Sequence, residues 1–182
     1  MKKFIKNINK NREGFSIIEF VIVVFILSIL SLMALAAISS RTLTEKLEIN
    51  TGQLAQNILL IQNYAMVGYK DSAGEVADNY CIYFEVPDKY IIFRDEDGNN
   101  LFNLVNDIVM EEVKLYPNIG ITGTDAVLCS TVPKGLFCYD DDNANGGTVC
   151  DSTTTFTVEV SGTNVTKSVE VNHLTGKVGV KE

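Results

Sequence analysis

Residues 20–38, FVIVVFILSILSLMALAAI, run for 19 positions without a charge. At 1.5 Å rise per helical residue this is about 28 Å, close to the roughly 30 Å hydrocarbon core of a bilayer. Ser28 and Ser31 do not prevent a span, because a serine hydroxyl can bond the carbonyl one turn earlier. The flank ahead of the run is basic. Lys2, Lys3, Lys6, Lys10 and Arg12 against Glu13 leave residues 1–14 at +4, whereas the chain as a whole is −8, so residues 15–182 carry −12. A basic flank stays on the cytoplasmic side, which places everything after Arg41 outside. At 182 residues the chain has room for one ordinary domain plus this appendage. Its acidic remainder argues against general nucleic-acid affinity.

Glu19 sits at the front of the run, in REGFSIIEF (residues 12–20). A charge at the bilayer centre costs roughly 2.5–3.5 kcal/mol by insertion scales, less near the interface. A secretory signal peptide would have a basic start, a shorter apolar middle and a small-residue cleavage site, for which ALAA at 34–37 would serve. A plain signal anchor is the other ordinary reading. Neither accounts for Glu19.

The stretch G-F-S-I-I-E, followed directly by a spanning helix and preceded by a short basic leader, resembles the cleavage region of type IV prepilins and pseudopilins. The resemblance implies cleavage between Gly14 and Phe15 by a prepilin peptidase, N-methylation of the new N-terminal Phe15, and Glu19 as the fifth mature residue. Glycine ahead of the scissile bond lets the backbone lie extended in a protease cleft with no side chain to exclude. Cleavage creates an amine about one helical turn from Glu19, and the amine of a neighbouring subunit can neutralise that carboxylate during assembly. The expected partners are other pilin or pseudopilin subunits, the peptidase, the inner-membrane assembly platform and the lipid bilayer.

The helical pattern continues past the membrane. Leu43, Leu47, Leu54, Ile58, Ile61 and Ala65 keep the spacing of one apolar face, with Asn50 or Thr51 filling the missing turn. No proline interrupts residues 15–68, and Gly68 is a suitable stop, so a helix over about 15–67 would be about 80 Å long. Many pilins have a proline in the membrane half; Ala36 and Ala37 stand in that neighbourhood here. The organisation expected is a leader at 1–14, an assembly half of the helix at 15–40, an amphipathic half at 41–68 and a β-rich head at 69–182.

The head reads as short β-rich runs: 79–86, 89–95, 113–122, 154–162, 166–174 and 177–181. DEDGNN (95–100) and SGTN (161–164) read as hairpin turns. Phe156, Val158 and Val160 alternate with polar residues, as do Val169 and Val171, which predicts antiparallel sheets with one packed and one wet face. The fold class expected is α+β, a long N-terminal helix packed on a sandwich-like antiparallel head. YIIFRDEDGNN, LYPNIGIT and VEVNHLTGKVGV make the head similar to the GspH/FimT family of minor pseudopilins and minor pilins. That resemblance implies a subunit of a type II secretion pseudopilus or a type IV pilus. Some FimT members bind DNA through basic residues near a C-terminal glycine, which would point here to Lys177 and Lys181. Two lysines would give a salt slope of only roughly −1.8 on duplex DNA, so nucleic acid is not an expected partner of the head, residues 42–182.

Cys81, Cys129, Cys138 and Cys150 all lie on the exported side, where disulfides persist. Three connectivities are open; a short polar loop favours Cys138–Cys150 and leaves Cys81–Cys129. In a reducing setting the four would be buried thiols, and zinc is disfavoured by the absence of a C-x-x-C pair. Asp141, Asn143, Asn145 and Gly146 match the start of a calcium loop, but its closing position is Ser152, so the bidentate glutamate is missing. Calcium is the one candidate ligand, with a solvated turn as the alternative. His173, the only histidine, reads as a surface residue at a strand end. No phosphate loop or catalytic constellation is visible, and no enzymatic activity is expected.

Overall fold

The computed structural model describes residues 16–70, 74, 76–123, 125–141, 149, 150 and 152–181, leaving aside the side chains of 35–40 and 141. It divides into two compact units, Met1–Arg41 and Thr42–Glu182. One helix, α1 (Ile17–Val67), supplies the described part of the first unit and the opening of the second. Within it, Ile17–Ala34 forms an 18-residue segment of mean hydropathy 2.8. Its side chains are exposed, and the Ser28 and Ser31 hydroxyls donate to the Val24 and Leu27 carbonyls at 2.8 Å each.

In the second unit α1 buries one stripe: Leu47, Leu54, Ile58, Ile61 and Ala65. Both polar candidates for the missing turn are buried as well. Thr51 Oγ1 donates to the Leu47 carbonyl at 2.7 Å, and Asn50 Nδ2 donates to the Lys46 carbonyl at 2.8 Å, so neither brings an unsatisfied polar atom into the core. The helix ends at Gly68, whose φ of +62° no β-branched residue would tolerate, and Tyr69 N donates to the Tyr64 carbonyl at 3.1 Å across the last turn.

Nine strands follow: β1 (Asn79–Glu85), β2 (Lys89–Asp95), β3 (Ile108–Lys114), β4 (Ile119–Thr122), β5 (Ala126–Thr131), β6 (Leu136–Asp141), β7 (Thr153–Val160), β8 (Thr166–Asn172) and β9 (Val178–Lys181). They form a five-stranded sheet, β3-β2-β1-β5-β6, and a four-stranded sheet, β4-β7-β8-β9, antiparallel throughout. One core takes the α1 stripe, Tyr80, Ile82, Phe84, Tyr90 and Ile92 from the larger sheet, and Ile121, Phe156, Val158, Val169 and Val171 from the smaller. The architecture is α+β.

Three expectations need correction. Residues 113–122 are not one strand: Pro117 and Asn118, the latter at φ +69°, turn the chain so that β3 joins one sheet and β4 the other. The strands β5 and β6 stand where none was expected. The residues after DEDGNN do not return at once, since β3 begins only at Ile108, and the connection folds over the outer face of the larger sheet. Phe102 in that connection stacks on Tyr83 and leans on Phe93, with ring centroids 5.0 Å apart in each case. Cys81, Phe93, Val127 and Cys129 are thereby buried in a second, smaller core. The centre of this sheet is covered on both faces, whereas β7 and β8 keep the expected alternation.

Candidate functional site

Glu19 lies in the first turn of α1, with Glu19 N and Phe20 N donating to the Ser16 carbonyl at 3.0 and 3.2 Å. Its carboxylate is exposed, and among the described residues it forms no ion pair. A carboxylate in a first helical turn meets the positive end of the helix dipole, which stabilises it by about 0.3–1 kcal/mol. That is less than the cost of holding an ion in hydrocarbon, so the dipole alone does not explain a charge carried into a span. Gly14 and Phe15 lie outside the described residues.

Residues 9–35 match the prokaryotic N-terminal methylation motif. This motif supports a type IV pilin-like structural subunit, implies prepilin peptidase processing and assembly with other pilin subunits, and with the apolar helix suggests membrane anchoring. No curated protein and no solved structure matches the chain.

In the head, the structure pairs Cys81 with Cys129 and Cys138 with Cys150. Asp141 ends β6, while Asn143, Asn145 and Gly146 of the calcium-like pattern lie outside the described residues. Ser152 offers its carbonyl to His173 N at 3.0 Å. His173 is not a surface residue: it is fully buried between the β7–β8 hairpin and the Val149 strand bridge. Its Nδ1 donates to the Val149 carbonyl at 3.0 Å, and in the neutral ring Nε2 accepts from Thr154 Oγ1 at 2.9 Å. The polar residues around it in sequence hid this role, which is to tie the chain after β6 to the smaller sheet.

Lys177 and Lys181 stand at a groove of about 470 Å³ beside β8 and β9, lined also by Thr153, Glu170, Asn172 and Thr175. Lys181 Nζ is 2.5 Å from Glu170 Oε2, so one of the two lysines is already engaged by an acid inside the groove. Asp95 and Asp97 of the DEDGNN turn are joined by Asp107, which the sequence did not single out, and the three carboxylates converge within 4.8 Å. Oxygens of this kind suit a hard cation, but donors of the connection itself occupy them. Asp95 accepts from Gly98 N at 2.8 Å and Asn100 N at 3.0 Å, and Asp107 from Asn103 N at 2.6 Å. Burial, ahead of the neighbouring Asp95 and Asp97 charges, pushes the Asp107 carboxyl up. The three acids hold the connection in the shape that seats Phe102.

Proposed function

We propose that this chain is a minor structural subunit of a type IV pilus or of a type II secretion pseudopilus, with a head of the GspH/FimT kind. The prepilin peptidase cleaves it after Gly14, Phe15 becomes the methylated N-terminus, and the head is held on the outer side of the inner membrane until assembly. The observation that carries this reading is the methylation motif over residues 9–35, with Glu19 exposed in the first turn of an 18-residue apolar segment. A carboxylate that is costly in lipid becomes favourable when the amine of an adjoining subunit's Phe15 meets it in the filament. The helix is thus a membrane anchor before assembly and a packing surface afterwards.

Mass spectrometry of the mature protein is expected to show methylated Phe15 at the N-terminus; cleavage near Ala37, or none, would sink the reading. Glu19→Val should insert in the membrane and be processed, yet fail to enter filaments or to co-purify with partner subunits. Normal incorporation of that variant would remove the docking role from Glu19.

A further inference from the structure

Strands β1, β5 and β6 put three cysteines in one row, with Cys81 opposite Cys129 and Cys129 opposite Cys138. Directly opposed residues of antiparallel strands share a face, with Cβ atoms roughly 4.5–5.5 Å apart. That is close to the roughly 3.5–4.5 Å a disulfide spans. Cys129 therefore has a neighbour on each side that could bond it. It is bonded to Cys81, while Cys138 is bonded to Cys150.

Access to the four sulfurs is unequal. Cys81 and Cys129 are 0% and 1% exposed and Cys138 is 9% exposed, whereas Cys150 is exposed. Phe102 and Tyr83 pack over Cys81 and Cys129 and screen that bond from an external thiol, whereas Cys138 reaches it from the neighbouring strand. An external thiol therefore meets Cys150 first.

We propose that Cys138–Cys150 is a thiol–disulfide exchange site for a dithiol partner, and that the Cys138 thiolate it releases carries the exchange inward to Cys81–Cys129. A partner thiolate attacks Cys150 Sγ, forming a mixed disulfide and expelling the Cys138 thiolate. Cys138 attacks Cys129 Sγ, forming Cys129–Cys138 and expelling Cys81. The expelled Cys81, fully buried, takes up a proton and is left as a thiol. The partner's second thiol then resolves the mixed disulfide, leaving an oxidised partner and a Cys150 thiol. Two electrons pass from the dithiol to the protein, which ends with one disulfide and two thiols. The staple moves from the β1–β5 pair to the β5–β6 hairpin, and Cys150 is released. This inference does not depend on the filament reading.

The full chain in detergent micelles carrying Cys150→Ser, acid-quenched, alkylated and peptide-mapped, tests the inward step without a reductant. The expected result is Cys129–Cys138-linked peptide with alkylated Cys81, at least as abundant as Cys81–Cys129 with alkylated Cys138. Alkylation confined to Cys138 in a variant with wild-type circular dichroism would overturn the proposal. Should the variant misfold, the wild-type chain titrated with glutathione gives the same answer. Glutathione on Cys150 with alkylated Cys81 supports the relay, and glutathione on Cys138, or alkylation only at Cys138, refutes it.

Discussion

Gly176→Ala tests how the helix is seated on the head. Gly176 has φ +66°, and a Cβ built there would fall well inside van der Waals contact with Gln62 Nε2 of α1. That same Nε2 donates to the Gly135 carbonyl at 3.1 Å, in the turn between β5 and β6. An alanine held at positive φ costs roughly 1–2 kcal/mol. Displacing Gln62 forfeits a half-buried hydrogen bond worth about 1 kcal/mol. The sum is a loss of about 2–3 kcal/mol, which at a urea dependence of roughly 2 kcal/mol/M lowers the unfolding midpoint by about 1–1.5 M. The assay is urea unfolding of the detergent-solubilised chain, followed by tyrosine fluorescence because the chain has no tryptophan. In a Gln62→Ala background the hydrogen bond and the clash are both already gone. There Gly176→Ala should cost only the roughly 1–2 kcal/mol of the backbone. An equal cost in the two backgrounds would refute the argument that Gly176 is read by Gln62.

Burial pushes the Tyr90 phenol up to about 12, against the opposing hydrogen bond from Asn57 Nδ2 at 2.9 Å. The native state then holds a proton that the unfolded chain gives up near pH 10, so the associated stability is complete below pH 10 and is lost as pH climbs towards 12. Comparing the wild type with Tyr90→Phe by absorbance titration should remove a late-ionising tyrosine. Leu54→Ala empties a fully buried site on the α1 stripe and is expected to cost about 2–5 kcal/mol in the same urea assay, whereas Leu59→Ala, at an exposed position, should cost less than about 1 kcal/mol. The head, residues 42–182, is expected not to retard duplex DNA at physiological salt, given the Glu170 contact of Lys181 and the −12 charge beyond the leader. Retardation abolished by a Lys177/Lys181 double alanine variant would promote DNA uptake to the leading function.

The features legible in the sequence are those set within a few residues of themselves. An uninterrupted apolar run after a basic leader specifies a span because length and hydropathy are local sums. The helix stop at Gly68 and the β7–β8 hairpin follow likewise from backbone preference and period-two alternation. The methylation motif was readable for the same reason, since a peptidase recognises a short contiguous stretch. Tertiary structure decided what depends on which distant segment arrives. Residues 113–122 look like one strand until the two sheets claim its halves on either side of Pro117. The strands β5 and β6 lack clean alternation because helix and sheet cover one side while the connection through Phe102 covers part of the other. His173 is buried because Val149 and Thr154, 24 and 19 residues earlier in the chain, converge on its two ring nitrogens, which no window around residue 173 contains. The row of Cys81, Cys129 and Cys138 is likewise a product of register: spacing along the chain counts residues, whereas the neighbours of a sulfur are fixed by which strands lie side by side.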